Sequence, residues 1–368
     1  MQTGSINIKN LSFDDLTREL VSLGMKRYRA GQVHEWIYRN SADAFDEMTN
    51  IPKAERVLLA GRFFIPSPRL LKQERSSDGT TKFLFELTDR HTIESVLIPD
   101  EDRKTLCVSS QVGCAQACRF CLTGSGGFRR NLDAFEIVDQ ILFVEKLIAS
   151  GERAGTVHQG GGGDFRREPV RYITNIVLMG MGEPLANFDN VVQALRVITA
   201  DKGLGFSPRR VTLSTDGLAP EIDRLGTTGI RVNLAISLNA TTDAVRDRIM
   251  PVNRRYPIGE LLAACRRFPL DERRRITFEY VLLSGVNDSG EDARRLVHLL
   301  KGIRSKVNLI PFNPFPGSEF RRPADAAVRL FQKVLLDHHL TAPLRESRGR
   351  DISAACGQLR EQEAALHP

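Results

Sequence analysis

"VGCAQACRFCLTG", residues 112–124, contains three of the six cysteines of this 368-residue chain. Cys114, Cys118 and Cys121 form a CxxxCxxC array within it. Thiolates select zinc or iron–sulfur clusters over hard cations. A structural zinc site is usually closed by four protein ligands, commonly two separated pairs. No second CxxC pair and no HxxxH pair follows the array, so structural zinc is the less favoured of the two interpretations.

Three thiolates suit a [4Fe–4S] cluster with one open position. Three cysteines leave the fourth iron of a cubane without a protein ligand, and an open iron can bind a small molecule by its amino and carboxylate groups. A purely structural site would be closed. The array therefore predicts a functional cluster held by Cys114, Cys118 and Cys121.

The composition is that of a water-soluble globular protein, with 41% hydrophobic and 26% charged residues. No apolar run approaches the roughly 20 residues that span a bilayer, and we expect no membrane association. The N-terminal stretch lacks a basic segment followed by an apolar one, so we expect no signal peptide and a cytoplasmic location. In that reducing compartment, clustered cysteines are expected to be ligands or catalysts.

The chain is basic, with a net charge of +7, and many of its arginines occur in pairs. Paired arginines at the ends of strands or in loops could reach a phosphate backbone. They could equally form a solvated basic surface. Charge alone leaves both interpretations open.

A helical N-terminal part is followed by alternating strands and helices. Residues 10–62 are predicted to be helical, with Ser12 as an N-cap, and KFLFEL and IESVLI predict a β-hairpin. Further strands are predicted at 105–109, 173–179, 210–214, 231–237, 275–283 and 306–311. Helices are predicted at about 132–149, 188–199, 219–226, 242–249, 259–268, 290–302 and 324–339. Six βα repeats indicate a barrel or partial barrel, with its chemistry at the carboxyl ends of the strands.

The glycine tract Gly160–Gly163 is interpreted as a flexible surface insertion. No strand enters it and no Gly-Lys-Ser/Thr follows, which argues against a phosphate loop.

Seven longer motifs occur in a single order within roughly residues 90–360. They are LCVSSQVGCAQACRFC, VLMGMGEPLANFDN, VTLSTDGLAP, LAISLNATTDAVRDRIMPVNRRYPI, TFEYVLLSGVND, PFNPFPGS and SRGRDISAACGQL. With the cysteine array after the first barrel strand, they resemble the RlmN/Cfr family of the radical S-adenosylmethionine (SAM) superfamily. Two departures are Asn239, where many relatives carry histidine, and the glycine-rich insertion around 151–169.

The resemblance implies an α/β fold, a radical SAM (βα)6 partial barrel with a small helical N-terminal accessory domain. It implies a [4Fe–4S] cluster and SAM as cofactors. The domains expected from it are 1–80, a helical RNA-binding accessory domain; 81–104, a β-hairpin extension; 105–345, the barrel with its cluster loop; and 346–368, a C-terminal loop.

A set of residues at the carboxyl ends of predicted strands is expected to bind SAM. Gly182 allows close approach of the backbone, and Glu183 can accept a charge-assisted hydrogen bond from the SAM ammonium group. The resemblance assigns further positions to the ribose, adenine and carboxylate. The whole expected set is Gly182, Glu183, Ser214, Ser237, Leu238, Asn239 and Asn313.

Two cysteines and one carboxylate outside the array are expected to be catalytic. By the resemblance, Cys356 takes a methyl group from one SAM, and a deoxyadenosyl radical from a second SAM removes hydrogen from that S-methyl group. The resulting carbon radical adds to adenine, and Cys107 then attacks the Cys356 sulfur, which releases RNA and leaves a disulfide. Glu94 matches the family's proton acceptor, although by itself it could be a solvent-facing strand carboxylate. Cys265, on an apolar helix face, is expected to be core.

The resemblance implies methylation of carbon 2 of an adenosine in 23S rRNA and in the anticodon loop of tRNA. The expected partners are these RNAs and an electron-donating reductase system such as flavodoxin, and the chain is expected to be a monomer. Two alternatives stay open. One is Cfr-type methylation of adenine carbon 8, which shares most of these motifs. The other is a non-catalytic iron–sulfur RNA-binding protein, which would not need Cys107, Cys356 or Glu94.

Overall fold

A nine-stranded mixed sheet forms the centre of the structure, a computed structural model that describes residues 5–155 and 171–361. The strands are β1 Ile6–Asn7, β2 Phe63–Phe64, β3 Arg69–Arg75, β4 Thr81–Glu86, β5 Thr92–Asp100, β6 Arg103–Cys107, β7 Gln111–Gly113, β8 Phe128–Asn131, β9 Asn175–Leu178, β10 Val211–Thr215, β11 Asn233–Ser237, β12 Ile276–Leu282 and β13 Ser305–Pro311. The helices are α1 Phe13–Ser22, α2 Arg29–Tyr38, α3 Lys53–Arg62, α4 Leu122–Ser125, α5 Ala134–Gly155, α6 Phe188–Thr199, α7 Ala219–Thr227, α8 Asp243–Ile249, α9 Ile258–Arg267, α10 Gly290–Leu299 and α11 Asp325–Asp337.

Six of the sheet strands are parallel and form the (βα)6 partial barrel. Their order is β13-β12-β11-β10-β9-β6, and every neighbouring pair runs parallel. Seven residue pairs join β12 to β13, from Ile276↔Ser305 to Leu282↔Pro311. Both strands are buried along nearly their whole length, as expected for a parallel sheet covered on both faces. All six strands predicted for the barrel are confirmed, and their carboxyl ends meet at one end of the barrel.

The sheet continues from β6 through three antiparallel strands. The predicted hairpin is confirmed as β4 and β5, which pair from Thr81↔Leu97 to Glu86↔Thr92. The edge strand β3 was not predicted. Its RLLKQER sequence mixes charged and apolar residues and is mostly exposed or half-buried. Backbone pairing with β4 holds β3 at the edge of the sheet. Because an edge strand does not need a buried face, its sequence shows no alternation of apolar and polar residues.

The N-terminal helices confirm the predicted helical region and its cap. The Ser12 side chain accepts a hydrogen bond from the backbone N–H of Asp15 at 3.1 Å, and Leu16 and Leu20 form the buried face of α1. Apolar residues of α1–α3 belong to the same continuous core as the barrel strands. The division into domains predicted from the sequence stays a prediction.

A buried ion pair joins the N-terminal segment to the barrel. Lys9 Nζ lies 2.6 Å from Asp139 Oδ1 of α5 and donates to the carbonyl of Pro66 at 2.8 Å. Both charged side chains are 4% exposed. Burial raises the pKa of Asp139 to about 6, even with Lys9 beside it. The pair therefore carries a desolvation cost and depends on both partners.

Replacing Lys9 by methionine is expected to lower the free energy of unfolding by about 3–5 kcal/mol at pH 8, because Asp139 is left as an unpaired buried carboxylate. A carboxyl group with a raised pKa keeps its proton in the folded protein at pH values where the unfolded chain has lost it. The contribution of Asp139 to the free energy of unfolding is therefore lost as the pH rises from about 4 to above 6. The effect of Lys9→Met should be smaller at pH 5 than at pH 8 in urea denaturation.

Lys146→Met is the matched control. Lys146 pairs with Asp43 nearby, but both side chains are 47% exposed, so the loss should stay within about 1 kcal/mol. An equal loss for Lys9→Met at both pH values would contradict the assigned role of Asp139.

No helix within the described ranges is both long enough and apolar enough to cross a membrane.

Candidate active site

The cysteine array lies between the two strands of a small hairpin after the first barrel strand. β7 and β8 pair antiparallel, and the backbone N–H of Cys114 donates to the carbonyl of Gly127 at 2.8 Å. The N–H of Cys121 donates to the carbonyl of Cys118 at 3.0 Å. All three cysteines line one cavity of about 200 Å³ at the carboxyl ends of the parallel strands. The hairpin was not predicted, because strands of three and four residues are too short to show a pattern.

The segment from Cys114 to Cys121, called the cysteine loop below, has ligands suited to an iron–sulfur cluster. Burial raises the pKa of Cys114 to about 12 and that of Cys118 well above its ordinary value, so both thiols need a cationic group to lose their protons. Among the described residues, no three His, Cys, Asp or Glu side chains are placed to hold a single metal ion. A cubane does not require that arrangement, because three of its four irons would each take a separate thiolate.

Gly182 and Glu183 follow β9 and line the same cavity. Gly182 has φ +96°, and a Cβ there would lie 2.5 Å from Cβ of Gln111. Only glycine fits this close approach. The carboxylate of Glu183 is buried and accepts backbone hydrogen bonds from Leu185 at 2.9 Å and from Asp216 at 2.8 Å. These bonds fix the direction of the Glu183 side chain.

Asp216 is a cavity residue that the sequence analysis did not single out. It follows β10 directly, and its pKa is raised well above the ordinary value by burial and by the adjacent Glu183 carboxylate. Its Oδ1 atom is buried and has no hydrogen-bond partner within the described part of the chain. A buried oxygen without a partner is costly unless a ligand supplies a donor. The Glu183–Asp216 pair is therefore suited to a cationic group such as an ammonium.

The polar residues expected at strand ends lie together. Ser214, Ser237, Asn239 and Asn313 all line the cavity, after or at the ends of β10, β11 and β13. The Oδ1 atom of Asn313 is buried without a partner in the described residues, while its amide donates to Ser347 at 2.7 Å. Leu238 does not line the cavity. Its side chain is fully buried, and its backbone N–H donates to the carbonyl of Glu279.

The side chain of Asn239 is engaged within the protein. Its Oδ1 accepts a hydrogen bond from the backbone N–H of Val281 at 2.8 Å, and its Nδ2 lies 3.3 Å from the sulfur of Met250. Its φ of 56° lies in the left-handed region, which asparagine adopts more readily than most residues. Asn239 therefore ties the end of β11 to the end of β12 beneath the cavity.

Arg246 of α8 is a second residue that the sequence analysis missed. Its guanidinium is fully buried and donates to the carbonyls of Asp216 at 2.6 Å, Ser237 at 3.2 Å and Leu238 at 3.1 Å. Through these hydrogen bonds, Arg246 connects the carboxyl ends of β10 and β11. Its helix carries two arginines, and the sequence offers no sign of which one is buried.

Glu279 and Arg345 also line the cavity and were not predicted. Burial raises the pKa of Glu279, and Arg345 opposes that effect. The side chain of Asn308 donates to Glu279 Oε1 at 2.8 Å. Asn308 therefore fixes the Glu279 side chain at this side of the cavity.

Cys356 and Cys107, the two cysteines expected to be catalytic, differ in their exposure. Cys356 is exposed and lines the cavity. Cys107 ends β6, is buried, and does not line the cavity. The pKa of Cys107 is raised by burial and, to a smaller extent, by the Cys356 thiol. Both are free thiols.

The segment after Cys356 forms hydrogen bonds with the residues that directly follow the cysteine loop. The backbone N–H of Leu122 donates to the carbonyl of Gly357 at 2.7 Å, and Thr123 Oγ1 donates to the carbonyl of Leu359 at 2.5 Å. These bonds connect the C-terminal loop to α4, directly after Cys121.

Glu94 of β5 is buried, with 0% of its surface exposed. The alternative interpretation as a solvent-facing carboxylate is wrong. Its Oε1 lies 3.2 Å from Lys82 Nζ, and its Oε2 accepts a hydrogen bond from the backbone N–H of Arg360 at 3.0 Å. Glu94 is not among the residues that line the cavity. The C-terminal segment thus contacts both the cysteine loop and Glu94.

Two further sequence predictions have different outcomes. Cys265 on α9 is buried in the core, as predicted. The glycine tract Gly160–Gly163 lies outside the described residues.

Two parts of the chain match models of known protein families. Residues 6–65 match the model of the ribosomal RNA large subunit methyltransferase N-terminal domain. Residues 165–297 match that of the radical SAM superfamily.

The relatives and one solved structure cover nearly the whole chain. The dual-specificity RNA methyltransferase RlmN of Geobacter sulfurreducens is 54% identical over 99% of this chain and 94% of its own length. The protein of the same name from Pelobacter propionicus is 52% identical over 100% of this chain and 99% of its own. The crystal structure of a radical SAM methyltransferase from Sphaerobacter thermophilus superposes with a TM-score of 0.86 at 44% identity, covering 96% of this chain and 99% of that one.

Proposed function

The chain belongs to the RlmN family of radical SAM RNA methyltransferases, and on that premise we propose that it methylates carbon 2 of an adenosine in 23S rRNA and in the anticodon loop of tRNA. Membership of the radical SAM superfamily implies a [4Fe–4S] cluster and SAM as cofactors. One observation carries the proposal: Cys356, a free thiol outside the cysteine array, lines the same cavity as Cys114, Cys118 and Cys121.

Methylation of carbon 2 of adenine requires a mechanism other than direct attack of that carbon on SAM. It is an electron-poor amidine carbon, so it does not attack the electrophilic methyl group of SAM. A thiolate does attack that methyl group readily. Cys356, exposed at the cavity, would accept the methyl group from a first SAM and carry it to the adenine.

Each cofactor would have its own residues. Cys114, Cys118 and Cys121 would hold the cluster, and Glu183 with Asp216 would receive the SAM ammonium group. When bound, the reduced cluster and a second SAM supply the radical that removes one hydrogen atom from the S-methyl group. The expected SAM residues Gly182, Ser214, Ser237 and Asn313 would line the rest of the site, while Leu238 and Asn239 would support it through the backbone and through β12.

The remaining steps use side chains of this chain. The methylene carbon of Cys356 would bond to carbon 2 of adenine. Glu94 would accept the proton that leaves that carbon, and the unpaired electron of the adduct would leave as well, to the redox centre that supplied one electron for SAM cleavage. Lys82 Nζ lies 3.2 Å from Glu94 Oε1 and holds that carboxylate in place. Cys107 would attack the Cys356 sulfur, which breaks the carbon–sulfur bond and leaves a Cys107–Cys356 disulfide. The released methylene carbon would take up the proton that the Cys107 thiol loses and become the methyl group. Two electrons from an external reductant would restore the thiols.

Cys107→Ala is expected to stop turnover after formation of the thioether, because no thiol remains to break the carbon–sulfur bond. RNA should then stay covalently attached to the protein, and denaturing gel electrophoresis with labelled RNA would detect the adduct. Cys265→Ala, which removes a buried thiol away from the cavity, is the control and should give no adduct. Free methylated RNA released normally by Cys107→Ala would contradict the role of Cys107.

Carbon 8 is the other candidate position, as in Cfr-type enzymes. Anaerobic reaction with a 23S rRNA transcript, followed by nucleoside analysis, distinguishes the isomers. We expect 2-methyladenosine, and 8-methyladenosine would overturn the assignment. A non-catalytic iron–sulfur RNA-binding protein would yield neither product.

The proposal extends to the setting of the reaction. Reductive SAM cleavage needs an electron donor, for which a flavodoxin-type reductase system is suited. We propose a cytoplasmic monomer that acts on rRNA before it is fully folded, since a target base must be unstacked to be reached.

A further inference from the structure

A basic groove lies at the end of the barrel opposite the candidate active site. Its lining includes the residues just before β12 and β13 and those that follow α10 and α11. The cysteine cavity is lined by the other ends of the same strands, for example Val281 of β12 and Ile310 of β13. A strand of seven residues rises roughly 20 Å. The groove and the candidate active site are therefore separated by about the length of the barrel.

The groove is wide and strongly positive. Its volume is about 1060 Å³, and among the described residues Glu272 is the one acidic residue that lines it. Three histidines, His298, His338 and His339, lie along it. The permanently charged residues that line it are Arg273, Arg274, Arg275, Arg294, Lys301 and Arg304.

Some of these cations serve the fold. Arg304 donates to the backbone carbonyls of Leu270, Asp271 and Glu272, and Arg274 pairs with Asp271 at 3.3 Å. These contacts anchor the loop before β12. They account for two of the six cations.

Other cations are not used by the fold. Arg273, Arg294 and Lys301 are exposed, and within residues 5–155 and 171–361 none of their side chains has an ion-pair or hydrogen-bond partner. Three unpaired cations held around one concave surface repel one another unless an anion lies between them. The groove thus has the charge pattern of a polyanion site.

The lining favours phosphates over a protein partner. Protein interfaces usually contain an apolar, aromatic-rich centre, and no exposed large apolar side chain of the described residues lines this groove. Arginine forks match phosphate oxygens bidentately. We propose that this groove binds the phosphodiester backbone of the RNA substrate, at a segment distant from the adenosine that reacts. The inference rests on the proposed RNA substrate and adds a second contact site to it.

A double variant, Arg273→Gln/Arg294→Gln, tests the groove. Both residues are exposed and unpaired in the described chain, so a thermal melt should match that of the parent protein. The control is Arg196→Gln/Arg329→Gln, which removes two exposed arginines from α6 and α11 without touching the groove. The probes are a minimal RNA hairpin with the target adenosine and a longer 23S rRNA transcript that extends well beyond it.

We expect the groove variant to bind the long transcript about tenfold more weakly and the hairpin unchanged, because the hairpin is too short to reach. The slope of log affinity against log salt should fall by about 1.5 for the long transcript, as two lost phosphate contacts predict. Equal changes for the control variant, or an equal effect on the hairpin, would overturn the proposal. A raised KM for a protein reductase, with RNA affinity unchanged, would assign the groove to an acidic protein instead and would also overturn it.

The experiment measures RNA binding and RNA methylation separately. If the long transcript depends on the groove but yields no 2-methyladenosine, the groove inference stands and the proposed reaction fails. If methylation of the hairpin proceeds in both variants while binding of the long transcript is indifferent to the groove, the reaction stands and the groove inference fails.

Discussion

Cys356→Ala is expected to lower RNA methylation by at least about a thousandfold, the scale seen when an enzyme loses its nucleophile. No other described thiol can replace it: Cys107 is buried outside the cavity lining, and the remaining cavity thiols belong to the cysteine loop. The variant should keep its iron and its affinity for SAM, because Cys356 lies on the C-terminal loop. Methyl incorporation from labelled SAM into RNA, with iron analysis on the same sample, measures both.

Cys265→Ala provides the comparison for that experiment. It removes a thiol from the core of α9, remote from the cavity lining, and should keep methylation within a few-fold of the parent. Substantial methylation by Cys356→Ala would show that the methyl group reaches RNA without this cysteine.

Cys118→Ser is expected to remove the iron–sulfur cluster, and with it SAM cleavage and RNA methylation together. Serine offers a hard oxygen in place of the soft thiolate that such clusters prefer, and the other two cysteines cannot hold three irons. The loss of activity should exceed about a hundredfold, since changes to groups that merely support a metal ligand already cost that much. Iron and sulfide content after anaerobic reconstitution, and formation of 5′-deoxyadenosine, are the readouts.

The two cysteine variants separate the two chemical parts of the site. Cys118→Ser should lose iron, whereas Cys356→Ala should retain it. If Cys118→Ser kept a full complement of iron and sulfide, the cysteine loop would not be the cluster site.

The barrel strands could be predicted because they are mostly apolar, as in NLAIS of β11, whose three central residues are buried. The cysteine loop and the strand-end serines and asparagines could be located for the same reason, since parallel strands bring their carboxyl ends together. Edge strand β3 could not, because its residues need only backbone pairing with β4.

Other parts of the candidate site depend on three-dimensional neighbours that no local pattern encodes. Asp216 lies within the motif VTLSTDGLAP, but only the structure shows that its Oδ1 atom is buried beside Glu183 and has no hydrogen-bond partner among the described residues. Arg246 is significant because three backbone carbonyls from two strand ends converge on it. Leu238 was expected among the SAM residues, yet its side chain packs into the core.

The most direct test of the central claim is mass spectrometry of the peptide that contains Cys356, from anaerobically purified protein with a reconstituted cluster. One methyl group on Cys356 is expected after incubation with SAM, and it should disappear when RNA, SAM and reductant are added together. Cys356 that stays unmodified after incubation with SAM, in protein whose cluster is intact by iron and sulfide analysis, would contradict the methyl-carrier mechanism.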